Sequence, residues 1–216
     1  MRPDTLFICK GAAFKREYLL QAIEAGAVAY VSKVDFEVAV PHIEVTDIRR
    51  AMARIADAAY DHPSGKLALC AFTGTKGKTT SAYYLRGMLD AQAVLDGASP
   101  VPYLSSVGYF DGIEAGTSKL TTPEPFELER RVANAVASGA QSMVMEASSQ
   151  ALKYGRCDGM QFAWVRLPIS ARITSRPSST PRSRIILSSK LKIFAQSTCA
   201  VVNLDMDHVD EVLEAA

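Results

Sequence analysis

The run Thr73-Gly74-Thr75-Lys76-Gly77-Lys78-Thr79-Thr80 gathers glycines, lysines and hydroxyls in one short stretch, a combination suited to holding a polyphosphate. Glycines let backbone N–H groups turn toward one point, Lys78 brings a charge to the terminal phosphates, and Thr79 offers a hydroxyl to the Mg²⁺ that accompanies them. Gly74, Thr75, Lys76, Gly77, Lys78, Thr79 and Thr80 are therefore the candidate ATP-binding residues. The general phosphate-loop pattern puts its first glycine where Phe72 stands, so the flanking segments have to support the reading. Glu146 is a second chemical group, an acid closing the apolar run Ser142-Met143-Val144-Met145. By residue type a carboxylate there also reads as an exposed helix-cap or salt-bridge acid.

These groups need elements that aim them. Leu67–Phe72 is an apolar run suited to a buried parallel strand, and Ser81–Leu89 continues as an amphipathic helix, so the glycine-rich turn opens a helix. Upstream, Thr5–Cys9 and Ala27–Val31 read as strands, and Tyr18–Ala25 and Asp47–Tyr60 as helices. Asp61-His62-Pro63-Ser64-Gly65 then marks a boundary between an expected unit at 1–64 and another at 65–216. Downstream lie a looser stretch, Ala91–Ser118, with a hairpin around Tyr109-Phe110-Asp111-Gly112, and a helix from Phe126 to Ser138. Strands follow at Ser142–Glu146 and Thr198–Leu204. Alternating strands and helices predict an α/β fold: a small N-terminal α/β unit, then a phosphate-loop parallel sheet whose ligands sit at the strand ends, where Gly74–Thr80 and Glu146 both fall.

Composition excludes other classes. A net charge of +1 over 216 residues gives no reason to invoke nucleic acid or an acidic membrane surface. Cys9, Cys70, Cys157 and Cys199 are scattered without metal-ligand spacing, which fits a reducing cytoplasm. No apolar run reaches the ~20 residues of a membrane span, and Met1-Arg2-Pro3-Asp4 opens no signal peptide, so a cytoplasmic location is expected. The sequence sets no oligomeric state.

Three ordered runs carry a family resemblance: Thr73–Thr80, Leu120-Thr121-Thr122-Pro123-Glu124, and Met145-Glu146-Ala147-Ser148-Ser149-Gln150-Ala151-Leu152-Lys153-Tyr154-Gly155-Arg156. Together they resemble the Mur ligases, which build the peptidoglycan stem peptide, and most closely the branch that adds its third residue. The resemblance implies ATP and Mg²⁺ as cofactors, with UDP-MurNAc-L-Ala-D-Glu and an amino acid, L-lysine or diaminopimelate, as partners. It implies amide formation through an acyl phosphate, with Lys78, Glu146 and Lys190 as catalytic residues. Thr79, Glu146 and a carbamylated Lys190 would hold metal, while Thr121, Thr122, Ser148 and Arg156 would contact the UDP-sugar-peptide. By residue type alone Thr121, Thr122 and Ser148 are equally helix caps, and Lys190 a solvated lysine.

The pattern breaks in two places. From Gly159 through Leu204 there is no Asp or Glu, and Arg176-Pro177-Ser178-Ser179-Thr180-Pro181-Arg182-Ser183-Arg184 is text from which no core helix or strand is expected. The family's Asp-His pair and following His belong there, yet no histidine lies between His62 and His208. A displaced reading frame over about 170–187 can restore them with permitted codons, so a frame error is expected. The chain also ends at Ala216, before the family's third domain, and an inactive fragment with an unfinished central sheet is expected. A nucleotide-binding remnant without catalysis and a folylpolyglutamate-type ligase are the alternatives.

Overall fold

The computed structural model describes residues 4–11, 13–167, 181–206 and 208–216. The first sheet is three parallel strands in the order β1 (Thr5–Ile8), β2 (Ala27–Ser32), β3 (His42–Glu44), with α1 (Arg16–Glu24) as the β1–β2 crossover. Helix α2 (Ile48–Ala59) starts where Asp47 accepts hydrogen bonds from the Arg49 and Arg50 N–H groups, satisfying donors that have no partner inside the helix. It stops at Asp61 and His62, both at positive φ, and a 3-10 turn, Pro63–Lys66, leads to the second sheet.

That sheet begins with β4 (Ala68–Phe72), followed by α3 (Lys78–Leu95), β5 (Tyr103–Leu104), the hairpin β6 (Gly108–Phe110) and β7 (Ala115–Thr117), and α4 (Pro125–Ala137). Next come β8 (Ser142–Glu146), the short α5 (Ser149–Lys153), β9 (Phe162–Leu167), α6 (Pro181–Leu191), β10 (Ser197–Val202) and α7 (Val209–Ala215). The spatial order is β10-β9-β4-β8-β5-β6-β7, parallel except for the antiparallel β5–β6 and β6–β7 pairs. The alternation of strands and helices has given the mixed α/β, parallel-sheet fold it predicts.

Burial follows the period-2 pleat. Leu69, Ala71, Met143, Met145, Val165 and Leu167 pack in one core with Leu128, Val132 and Ala135 of α4, while Cys70, Phe72 and Val144 meet α3 on the opposite face. The two sheets join where α2 packs on α4. Asp57 and Glu129 are both buried in this joint, and Arg50 pairs with Asp158 beside it.

Several elements differ from the sequence reading. The helix after the glycine-rich turn runs on to Leu95 through Ala91-Gln92-Ala93-Val94, all compatible with a helix, and Gly97 at φ +66 ends it. Helix α6 opens on Pro181 and takes in Arg182, Ser183 and Arg184, so the end of the run from which no core helix was expected is helical, while 176–180 lie outside the described residues. Proline is tolerated in a first turn, and Leu187, Ser189 and Lys190 are buried beyond it. The expected frame displacement falls chiefly on residues outside the described ones, 168–180, and its remainder lies in α6. Cys9, Cys70, Cys157 and Cys199 are free thiols, and among the described residues no helix is long and apolar enough to cross a membrane.

Candidate functional site

The glycine-rich turn leaves the carboxyl end of β4, where Thr73 N–H bonds the Arg166 carbonyl at 3.0 Å. Gly77 sits at φ +80 immediately before α3, a conformation that glycine adopts without the steric cost other residues meet. The unpaired N–H groups of the first helical turn therefore face the loop. Lys78 folds back so that its ammonium donates to the Gly74 carbonyl at 3.2 Å. The buried Thr73 hydroxyl has no partner among the described residues.

Glu146, at the end of the neighbouring strand β8, is 1% exposed. Its Oε1 accepts from the Thr79 hydroxyl at 2.8 Å, the Ser106 N–H at 3.0 Å and the Ser106 hydroxyl at 3.3 Å, and the two hydroxyls lie 3.1 Å apart. One carboxylate and two hydroxyls beside the glycine-rich turn form a set of hard oxygen donors. Such a set fits Mg²⁺, which takes one or two carboxylates and completes its shell with phosphate and water. Ser106 is absent from the sequence reading because β5, which delivers it, is only two residues long and carries no periodicity.

Lys190 lies on α6, which packs on α5, and is 1% exposed. Burial, and then the Lys78 charge, lower its pKa to about 8. Thus α3, β8 and α6 bring Lys78, Glu146 and Lys190 into one neighbourhood from three separate parts of the chain.

The four residues expected at the sugar-peptide gather at the adjoining corner. Thr122 is fully buried; its hydroxyl donates to the Glu146 carbonyl at 2.9 Å and accepts from Ser148 N–H at 2.9 Å. It ties the loop before α4 to the end of β8. Ser148 caps α5 by accepting from Ala151 N–H at 3.1 Å. Arg156 donates to the Thr122 carbonyl at 3.0 Å and pairs with Glu124 at 2.7 Å. Thr121 lines a cleft of about 450 Å³ with Tyr109, Lys119, Glu124, Glu127 and Arg131. Behind it Arg131, buried against Asp111 at 3.0 Å, stacks over the Tyr109 ring and fixes the hairpin on α4.

Thr122→Val keeps the volume and removes both hydrogen bonds, leaving a buried carbonyl and a buried N–H short of a partner. It is expected to destabilise the fold by about 2 kcal/mol, read as a lower urea midpoint at unchanged m-value. An unchanged midpoint would mean that the tie carries no net stability.

Residues 72–167 match the family model of the Mur ligase middle domain. The chain is 40% identical over 214 residues to a Streptococcus thermophilus protein named UDP-N-acetylmuramoyl-L-alanyl-D-glutamate–L-lysine ligase, covering 98% of this chain and 43% of that protein. It is 41% identical to the Streptococcus suis protein of the same name, again covering 43% of it. The chain therefore spans under half the length of these relatives. A solved UDP-N-acetylmuramoyl-L-alanyl-D-glutamate–2,6-diaminopimelate ligase shares the fold at TM-score 0.81 and 21% identity, covering 100% of this chain and 43% of that one. MurF from Thermotoga maritima, solved in complex with ADP, superposes at TM-score 0.58 with 18% identity, covering 99% of this chain and 46% of that one.

Proposed function

Because the chain carries a Mur ligase middle domain at residues 72–167, we propose that its chemistry is the ATP-dependent joining of L-lysine to UDP-MurNAc-L-Ala-D-Glu. The observation that carries this reading is the convergence of Thr79, Ser106 and Glu146 beside Lys78 at the end of β4. L-Lysine is preferred to diaminopimelate because it is the amino acid named in relatives about 40% identical along nearly all of this chain. In this reading 1–64 hold the uridine end of the substrate, and 65–216 hold ATP and the reacting groups.

Gly74, Thr75, Lys76 and Gly77 would wrap the phosphates with Thr80 at the helix start, and Lys78 would leave the Gly74 carbonyl for the terminal phosphate oxygens. Thr79, Ser106 and Glu146 would hold Mg²⁺, which neutralises charge on the β- and γ-phosphates when bound. A carboxylate oxygen of the D-glutamate attacks the γ-phosphorus, giving an acyl phosphate and ADP. The incoming amine then attacks the acyl carbon, forming the amide and releasing phosphate and a proton. Lys190, buried beside Lys78, takes the place of the carbamylated lysine that the family resemblance implies. Its amine would add CO₂, form an N–C bond and lose a proton, turning a cation into an oxygen ligand. Thr121, Ser148 and Arg156 remain contacts for the UDP-sugar-peptide, and Thr122, with both hydrogen bonds spent internally, positions them.

The test is thermal melting with Mg²⁺ and ATP, with UDP-MurNAc-L-Ala-D-Glu, and with both. Each ligand is expected to raise the melting temperature by itself, since a ligand at a hundred times its Kd adds about 2.7 kcal/mol. Stabilisation by ATP with none from millimolar UDP-MurNAc-L-Ala-D-Glu would contradict this reading and favour a nucleotide-binding protein or a different ligase.

A further inference from the structure

Glu124 stands at the N-cap position of α4 but makes no capping bond to that helix. Its carboxylate turns the other way, to the Lys10 ammonium and to the Arg156 guanidinium at 2.7 Å, and Arg49 adds a further favourable charge. Burial acts to raise its pKa, but the Lys10 hydrogen bond and the charges of Arg156, Lys10 and Arg49 outweigh it and hold the carboxyl below its ordinary range. These cations come from three places: Lys10 from the turn after β1, Arg49 from the first turn of α2, and Arg156 from beyond α5. Arg49 is exposed but held 4.0 Å over the Tyr154 ring, and Arg156 is anchored on the Thr122 carbonyl. The other acids nearby are engaged elsewhere, Glu127 with Arg130 and Arg131, and Asp158 with Arg50. One carboxylate therefore sits among three cations, at the positive end of a helix and 42% exposed, in the cleft that Thr121 lines.

We propose that Glu124 is an internal stand-in for the diphosphate of the UDP-linked substrate, occupying the Lys10–Arg49–Arg156 niche until the ligand displaces it. The inference rests on the functional reading above. The chemistry favours a diphosphate over a single carboxylate, because three cations exceed the one charge that Glu124 supplies, and guanidinium groups match phosphate oxygens in bidentate fashion. Since Lys10 follows β1 of the first sheet and Glu124 opens α4, which covers the second, the exchange also replaces a direct strap between the two with a bridge through the ligand.

Calorimetric titration of the full chain, its Glu124→Gln variant and its Glu124→Asp variant with UDP-MurNAc-L-Ala-D-Glu and with UDP alone tests this. Glu124→Gln removes the competitor and is expected to bind both ligands about three- to tenfold more tightly, with the gain shrinking as salt rises. Glu124→Asp, which keeps the charge, should stay near wild type and shows that any change does not come from altering the position as such. Equal or weaker binding by Glu124→Gln, with wild type binding normally, would overturn the inference alone and make Glu124 a plain interdomain tie. A gain for the full substrate but not for UDP would overturn the assignment to the diphosphate. Failure of wild type to bind either ligand, while it binds ATP with Mg²⁺, would overturn the functional reading, and this inference with it.

Discussion

Replacing Lys78 with methionine is expected to weaken ATP binding roughly tenfold to a hundredfold, the range of about 1.5–3 kcal/mol for a hydrogen bond to a charged group. The fold should not suffer. Lys78 is the first residue of α3, where a cation opposes the helix dipole, and among the described residues its ammonium bonds the Gly74 carbonyl in its own loop. The melting temperature of the ligand-free variant should thus match wild type or lie slightly above it, which separates lost binding from lost structure. A second readout lies on α6. Burial lowers the Lys190 pKa first and the Lys78 charge adds to it, so removing that charge should raise the Lys190 pKa above its value of about 8. Unchanged ATP affinity in Lys78→Met would mean that the loop does not place this lysine on phosphate.

The second large effect lies in the joint between α2 and α4. Glu129 is 1% exposed, and burial, with the Asp57 charge adding to it, pushes its pKa up to about 8. Asp57 Oδ1 and Glu129 Oε2 are both buried without a hydrogen-bond partner among the described residues. Around them stand His62, 2.7 Å from the other Asp57 oxygen, and the buried Cys157 thiol, which burial, with the charges of Glu129 and Asp158 adding to it, pushes up to about 12. A carboxyl whose folded pKa is raised binds its proton more tightly in the native state than in the unfolded chain. Its contribution is therefore complete below the unfolded value and is lost as pH rises toward the folded one. Wild type should lose of order 3–5 kcal/mol between about pH 4.5 and pH 8 from this group. Glu129→Gln, neutral throughout and able to offer an N–H to the neighbouring acid, should flatten that slope and be the more stable protein at pH 8. Urea midpoints across this range decide the matter. Parallel pH profiles for the two proteins, or a less stable variant at pH 8, would show that Glu129 is not protonated in the native joint.

The glycine-rich turn was legible because its signal is local: glycines, Lys78 and Thr79 fall within one turn, and an apolar strand and a helix flank them in sequence. Glu146 could be seen as an acid ending an apolar strand, but not that its carboxylate meets Thr79 and Ser106, since that depends on β4, β8 and β5 lying side by side. Ser106 had no signal of its own, being carried by a two-residue strand. The strand β9, with its exposed Trp164 and with Arg166 between buried Val165 and Leu167, was hidden by its position at the edge of the acid-free stretch. Glu124 was visible in the Thr-Thr-Pro-Glu run, but its partners Lys10 and Arg156 are distant in sequence, and only the tertiary packing brings them to it. Residue type identified the hydroxyls of Thr122 and Ser148, and the fold then committed them to internal hydrogen bonds.

The proposed metal-assisted nucleotide site is made by Thr79, Ser106 and Glu146 at the end of Gly74–Lys78. Calorimetric titration of ATP into wild type and Ser106→Ala, each with Mg²⁺ and with EDTA, tests it most directly. The expected result is binding to wild type that weakens at least about tenfold when Mg²⁺ is removed, with most of that dependence gone in Ser106→Ala. ATP affinity that is the same with and without Mg²⁺, or a Ser106→Ala variant with the full wild-type dependence, would contradict the site.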